Sequence, residues 1–282
     1  MNFSKLFPAV ALVAAASFYS VSAFAQSNYV KIGGGYNLGI GSQFGQKTLI
    51  TSTINQDNNL IQSTEKIERV RVNFGKGFTG NIAFGFMFSE QLGVEVEVNY
   101  LAGGKNNTSF QRNASQDSIS PFINKTEMHA RMIIFQPSFV MITKLSEHLN
   151  LHGKFGIATG TGTIFINDYL SDNWNEVIQE AEYKGGWGFG VQGALGLDYK
   201  INDKYAVFSE IKMSNLSYAP NKYQLTKQIH NGHDDLYPAE QKEISLENSF
   251  TNTTIKEVDW VNVKHPFNFS TVGLNIGLKY NF

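Results

Sequence analysis

The last stretch of the chain constrains it most. From Val272 onward every second residue is apolar: Val272, Leu274, Ile276, Leu278, Tyr280 and Phe282. Between them stand Gly273, Asn275, Gly277, Lys279 and Asn281. A period of two places these sets on opposite faces of a β-strand. Such a strand has a wholly apolar face that must be covered, and an unpaired edge of this kind invites aggregation. The expectation is that it is paired on both sides and turns its apolar face to something other than water.

Seven upstream stretches share the pattern. The first, 28–38, sets Val30, Ile32, Gly34 and Tyr36 against Lys31, Gly33, Gly35 and Asn37. The second runs over 67–88 through a Gly75-Lys76-Gly77 kink, with Ile82, Phe84, Phe86 and Phe88 opposite Ala83 and Gly85. The third, 92–100, sets Leu92, Val94, Val96, Val98 and Tyr100 against Gly93, Glu95, Glu97 and Asn99. In the fourth, 127–143, Gln136 and Ser138 imply that Phe135, Pro137, Phe139 and Met141 face outward. Stretches 149–158, 187–200 and 205–214 alternate in the same way. The connections between strands also alternate, short at 89–91, 144–148 and 202–204, and long and polar at 39–66, 103–125, 166–184 and 218–266. A soluble β-sandwich needs no such alternation of turns. A membrane barrel with short turns on one side and long loops on the other does. The expected fold is therefore all-β: a closed, antiparallel, up-and-down transmembrane β-barrel of eight strands with long extracellular loops. Segments 48–53 and 67–72 also alternate, and are expected to pair as a hairpin beyond the bilayer. The same holds for 244–250 with 255–263. If the first hairpin enters the membrane instead, the barrel has ten strands.

The N-terminus is a different kind of sequence. Lys5 is its lone charge, an apolar run covers 6–17, and Ala23-Phe24-Ala25 forms a small-x-small cleavage site before Gln26. This reads as a signal peptide over 1–25, with the barrel domain over 26–282. The chain has no cysteine, which excludes disulfides and thiolate chemistry. Its net charge of -1 gives no case for a nucleic-acid partner.

Eight strands leave an interior just wide enough for side chains. Inward-facing Gly33, Gly35, Gly85, Gly188, Gly190, Gly196, Gly273 and Gly277 would relieve crowding there. The same face carries Lys31, Glu95, Glu97, Lys154, Asp198, Glu210, Lys212 and Lys279. Buried charges must pair, so a salt-bridge network that plugs the lumen is expected, with a small gated pore as the alternative. Tyr36, Phe88, Tyr100, Tyr199, Tyr205, Tyr218, Phe267, Tyr280 and Phe282 lie near strand ends and suggest aromatic girdles.

With these features the chain resembles the small outer-membrane β-barrels of Gram-negative bacteria, the class of the OmpA transmembrane domain, OmpX and OmpW. One motif is specific: Asn275-x-Gly277-x-x-Tyr280-x-Phe282 is similar to the terminal signal by which the outer-membrane assembly machinery recognises such proteins. The resemblance implies outer-membrane location, with membrane lipids and that machinery as partners. It implies no particular activity.

Few residues suggest chemistry. His230, His233, Asp234 and Asp235, with Glu240 and Glu243 nearby, offer imidazole and carboxylate ligands for a divalent ion; a hydrated surface loop is the plainer reading. Barrel proteases and deacylases need acidic pairs or a His-x-Ser arrangement that is missing from this sequence, so no catalytic residue and no cofactor are assigned. The expected role is structural or surface-interacting, adhesion or binding of an extracellular ligand or partner through the long loops. The alternative is a narrow channel for small or hydrophobic solutes, and an outer-membrane hydrolase comes last.

Overall fold

A computed structural model describes residues 27–41, 43–54, 60–114, 121–236, 243–247 and 261–282. The expected signal peptide, its cleavage residues Ala23, Ala25 and Gln26, and Glu240 lie outside them. The strands in chain order are β1 (Ser27–Gly39), β2 (Gln43–Ile54), β3 (Leu60–Val72), β4 (Gly77–Met87), β5 (Leu92–Gly103), β6 (Asn106–Ala114), β7 (Phe122–Lys144), β8 (Leu149–Ser171) and β9 (Glu176–Lys184). They continue as β10 (Gly188–Lys200), β11 (Tyr205–Tyr218), β12 (Lys222–His230), β13 (His233–Asp234), β14 (Glu243–Glu247), β15 (Val261–Val263), β16 (Phe267–Asn268) and β17 (Thr271–Asn281).

Eight of them form a closed ring in the order β1, β4, β5, β7, β8, β10, β11, β17 and back to β1, every pairing antiparallel. The seam runs from Tyr29↔Asn281 to Gly39↔Thr271 without a register break. The ring therefore leaves no free edge, as lipid demands. Its outer face carries the apolar set expected from the sequence, with Ile276 61%, Leu274 59%, Ile211 60% and Phe155 66% exposed. The first hairpin stays outside the ring, so ten membrane strands are excluded.

Transmembrane strands need about 9–11 residues, yet β7 and β8 each have 23. Their upper halves leave the ring and seed a second sheet in the order β3, β2, β6, β7, β8, β9, β12, β14, β15. β2 and β3 form a hairpin beyond the ring, but its register differs from the expected one: residues 48–53 face 62–67 and residues 67–72 face 43–48, so the two expected segments meet only at Thr48 and Ile67. Several loop expectations are corrected. The stretch 67–88 is two strands, because Asn73, Phe74, Gly75 and Lys76 turn inward between β3 and β4. The 103–125 loop contains β6, the 166–184 loop is the β8–β9 hairpin, and the 218–266 stretch contains β12 to β15. Ser245 to Glu247 pair with Val261 to Val263 in parallel, not as a hairpin. Direction follows from the path: a chain that leaves β14 and returns beside it over a long connection need not reverse.

Candidate functional site

On each ring strand alternate residues face the lumen, and the sequence loads those positions with charge. On the side of the short turns, Lys31 Nζ lies 3.3 Å from Glu95. Lys154 Nζ reaches Glu95 at 2.8 Å, Glu97 at 3.3 Å and Glu210 at 2.9 Å. Lys212 contacts Glu97 closely and Glu210 at 3.6 Å, and Lys279 meets Asp198 at 2.9 Å. All eight candidate lumen residues thus lie in one contiguous network of four cations and four carboxylates, none of them more than 5% exposed. His152, between Asp198 at 3.1 Å and Glu210 at 3.3 Å, links its two halves.

Two aromatic rings complete this layer. Tyr29 Oη donates to Glu95 at 2.8 Å, and its ring lies 4.1 Å below the Lys279 ammonium. The Phe208 ring lies 5.1 Å from that of Lys31. Glycines make room for both: a methyl at Gly85 would enter the Tyr29 ring, and one at Gly33 would meet Phe208 at 2.7 Å. Above them Gln136, Ser138, Gln192, Asn81, Asn99 and Asn275 form a buried polar tier.

The outer half of the lumen is apolar. Phe74, Leu101, Ala130, Met132, Ile134, Ala158, Leu216, Tyr218 and Phe269 form one buried cluster. Phe74 enters from the β3–β4 turn and packs on Phe267 and Phe269, with ring centres 5.3 and 5.9 Å away. Burying one such ring contributes roughly 1.5–3 kcal/mol. Asn73 fastens the turn. Its amide donates to the carbonyls of Ile40, Gly41 and Ser270, and its oxygen accepts from Gly75 and Lys76. Asn106 exchanges two further bonds with the Asn73 backbone. Tyr218 and Phe267 are therefore not girdle residues. Tyr218 is fully buried and donates to the carbonyls of Gly162 and Gly185. Inward placement was readable for Tyr218, which shares parity with Phe208, Glu210 and Lys212. Nothing in the sequence marks Phe74 as a plug.

On top of this floor sits a cavity of about 670 Å³, with Val72, Phe74, Met128 and Phe267 below and Thr108, Asn124 and Thr126 on the wall. Tyr183 and Tyr223 stack edge-on at 4.9 Å beside Phe267. Burial first, and the Asp168 carboxylate second, raise the phenol of Tyr183 above its ordinary value.

The model of the outer membrane protein beta-barrel domain family matches residues 11–247. The chain belongs to that family. It is an outer-membrane protein of a Gram-negative bacterium, with the ring in lipid and the second sheet extracellular. Solved structures similar to this outer-membrane β-barrel include OprG of Pseudomonas aeruginosa, at 10% identity and TM-score 0.41 over 92% of this chain and 96% of that one. Ail, the attachment invasion locus protein of Yersinia pestis, is 10% identical with TM-score 0.34 over 92% and 100%. The outer membrane protease OmpT of Escherichia coli is 9% identical with TM-score 0.35 over 93% and 100%. No curated protein sequence matches.

In this outer-membrane β-barrel the terminal motif lies on β17. Asn275 is buried in the lumen, and Tyr280 stacks between Tyr205 and Phe282 at 5.1 Å from each. Gly277 sits against Phe208, where a Cβ would meet the ring at 2.7 Å. His230 and His233 face each other across the β12–β13 turn. His230 contacts Asn175 at 3.1 Å and Asp235 at 3.7 Å, and Asp234 accepts from the Leu236 backbone. Glu243 pairs instead with Lys222 at 2.6 Å. Among the described residues no three His, Asp or Glu side chains converge to hold a metal ion.

Proposed function

We propose that this protein is a closed outer-membrane scaffold whose work is done outside the cell, by the sheet that β7 and β8 carry above the bilayer. One observation supports this reading above the others: the lumen is filled by a charge-balanced network beneath an apolar plug, which leaves the extracellular sheet as the surface available for adhesion or binding. Four lysines against four carboxylates leave no uncompensated charge to draw ions through. The reading is tested by planar-bilayer recording on the purified, refolded protein. Electrically silent membranes are expected; steady channel-like steps would overturn it.

A second reading has its own observation. The β7–β8 ladder skips from Phe135↔Thr159 to Ser138↔Gly156, and Pro137 stands in the gap. Proline has no N–H to donate and is rare in the middle of a sheet. Beside it a groove of about 390 Å³ faces lipid between Val96, Phe139, Phe155 and Ile157. Two missing rungs in a ladder of otherwise unchanged register, at bilayer depth, support a narrow path by which a hydrophobic solute leaves sideways. Under that reading Pro137→Val, which allows the ladder to close, abolishes uptake of a hydrophobic tracer; uptake unchanged in the folded variant removes its support.

A further inference from the structure

The cavity above the plug belongs neither to the charged lumen nor to the groove in the wall. Its volume, about 670 Å³, falls within the usual 300–1,000 Å³ of small-molecule sites. Its floor and its wall differ in chemistry. The floor is made by Val72, Phe74, Met128 and Phe267, two of them rings already locked by packing against each other. The wall is polar for the most part and comes from adjacent strands, with Gln46 on β2, Thr108 and Ser109 on β6, and Asn124 and Thr126 on β7. Thr108 stands directly opposite Thr126, and Asn124 lies on the same face of β7.

One hydrogen bond sets what this wall can offer. Thr126 Oγ1 donates its proton to Asp168 Oδ1 at 2.5 Å. With the hydroxyl hydrogen committed there, the Thr126 oxygen can only accept. A head group bound beside it must donate. The Asp168 charge stands immediately behind and disfavours an anionic head. Because the floor is fastened by Asn73, an occupant enters and leaves from the extracellular side.

We infer that this vestibule is a binding site for a small amphipathic molecule with an uncharged, hydroxyl-bearing head, seated with its apolar end on Phe74 and Phe267. The site is complete whether or not the lumen conducts, so it stands apart from the outcome of the recordings above.

Hexyl glucoside is a suitable probe below its micellar concentration. It is titrated against the full protein in lipid nanodiscs by saturation-transfer NMR, with empty nanodiscs subtracted. Saturable binding is expected. Asn124→Trp, which fills the cavity from its wall, should weaken it at least about tenfold, the loss of about 1.4 kcal/mol. Asp203→Trp, in the exposed short turn at the other end of the barrel, should leave it unchanged. Hexanoate, with the same apolar length and an anionic head, should bind about tenfold more weakly. No saturable signal beyond empty nanodiscs overturns the site. Equal weakening by both Trp variants overturns its location, and equal binding of hexanoate overturns the head-group assignment. Should Asn124→Trp fail to fold, Thr126→Val carries the location test: it keeps the shape, removes the acceptor and should weaken binding severalfold, and undiminished binding would count against the site.

Discussion

Lys154 shows what a buried charge does in this barrel. It touches Glu95, Glu97 and Glu210, three acids from two facing parts of the ring. Each acid alone would be costly to bury, and Lys154 makes them compatible. Truncating one member of a buried ion network leaves its partners uncompensated, at about 3–5 kcal/mol. Lys154→Met is therefore expected to lower the unfolding free energy by about that amount, read as a shifted urea midpoint in lipid vesicles. A midpoint unmoved by the change would mean that water reaches and solvates the acids. The charged positions were legible in the sequence because Lys, Glu and Asp on one face of a lipid-crossing strand have nowhere else to go. His152 was legible only as an inward residue. Its link between Asp198 and Glu210 depends on the register of β8, β10 and β11, in which His152 and Glu210 both stand opposite Gly196, and no pattern within one strand carries that.

Among the elements, the contrast lies between the two sheets. Lipid imposes a period of two on the ring strands, so β5 and β17 read plainly from their alternation. Above the bilayer no lipid imposes a period, and in several strands it is lost. β6 reads NNTSFQRNA and β9 reads EVIQEAEYK, and both look like loop until their pairing with β7 and β8 is seen. The β3–β4 turn was hidden for another reason: glycines at 75 and 77 suggest a kink in one strand, whereas the turn inserts Phe74 below the extracellular sheet. Asn73 holds that turn with five side-chain hydrogen bonds. Asn73→Ala orphans the carbonyls it served and should cost about 1–3 kcal/mol. The expected signature is local: new protease cleavage near Lys76 while the folded barrel keeps its mobility on unheated gels. Loss of the barrel itself would show that the turn is part of the ring's own stability.

For the whole molecule, closure rests on β17. It pairs with β11 on one side and with β1 on the other, and just beyond it the backbone N–H of Phe282 donates to the Asn28 carbonyl at 2.9 Å. The aromatic ladder Tyr205, Tyr280, Phe282 covers that corner. Deleting Phe282 removes the final ring of the ladder and the terminal residue of the motif. Reduced accumulation of protease-resistant protein in the outer membrane is expected. Normal accumulation would show that Tyr280 and the seam suffice.

The seam also has a consequence for time. Tyr29 and Asn281 are neighbours across it, although β2 to β16 lie between them in the chain. Contacts between residues so distant in sequence form slowly, because the intervening chain must first be brought into a loop. Every other neighbouring pair in the ring can form as a local hairpin or across an extracellular excursion. This one waits for β17, the last ring strand in chain order. Until then the half-built sheet has two raw edges and a charged inner face open to its surroundings, so the step that seals the ring is also the step that first hides Lys31 and Lys279 from water.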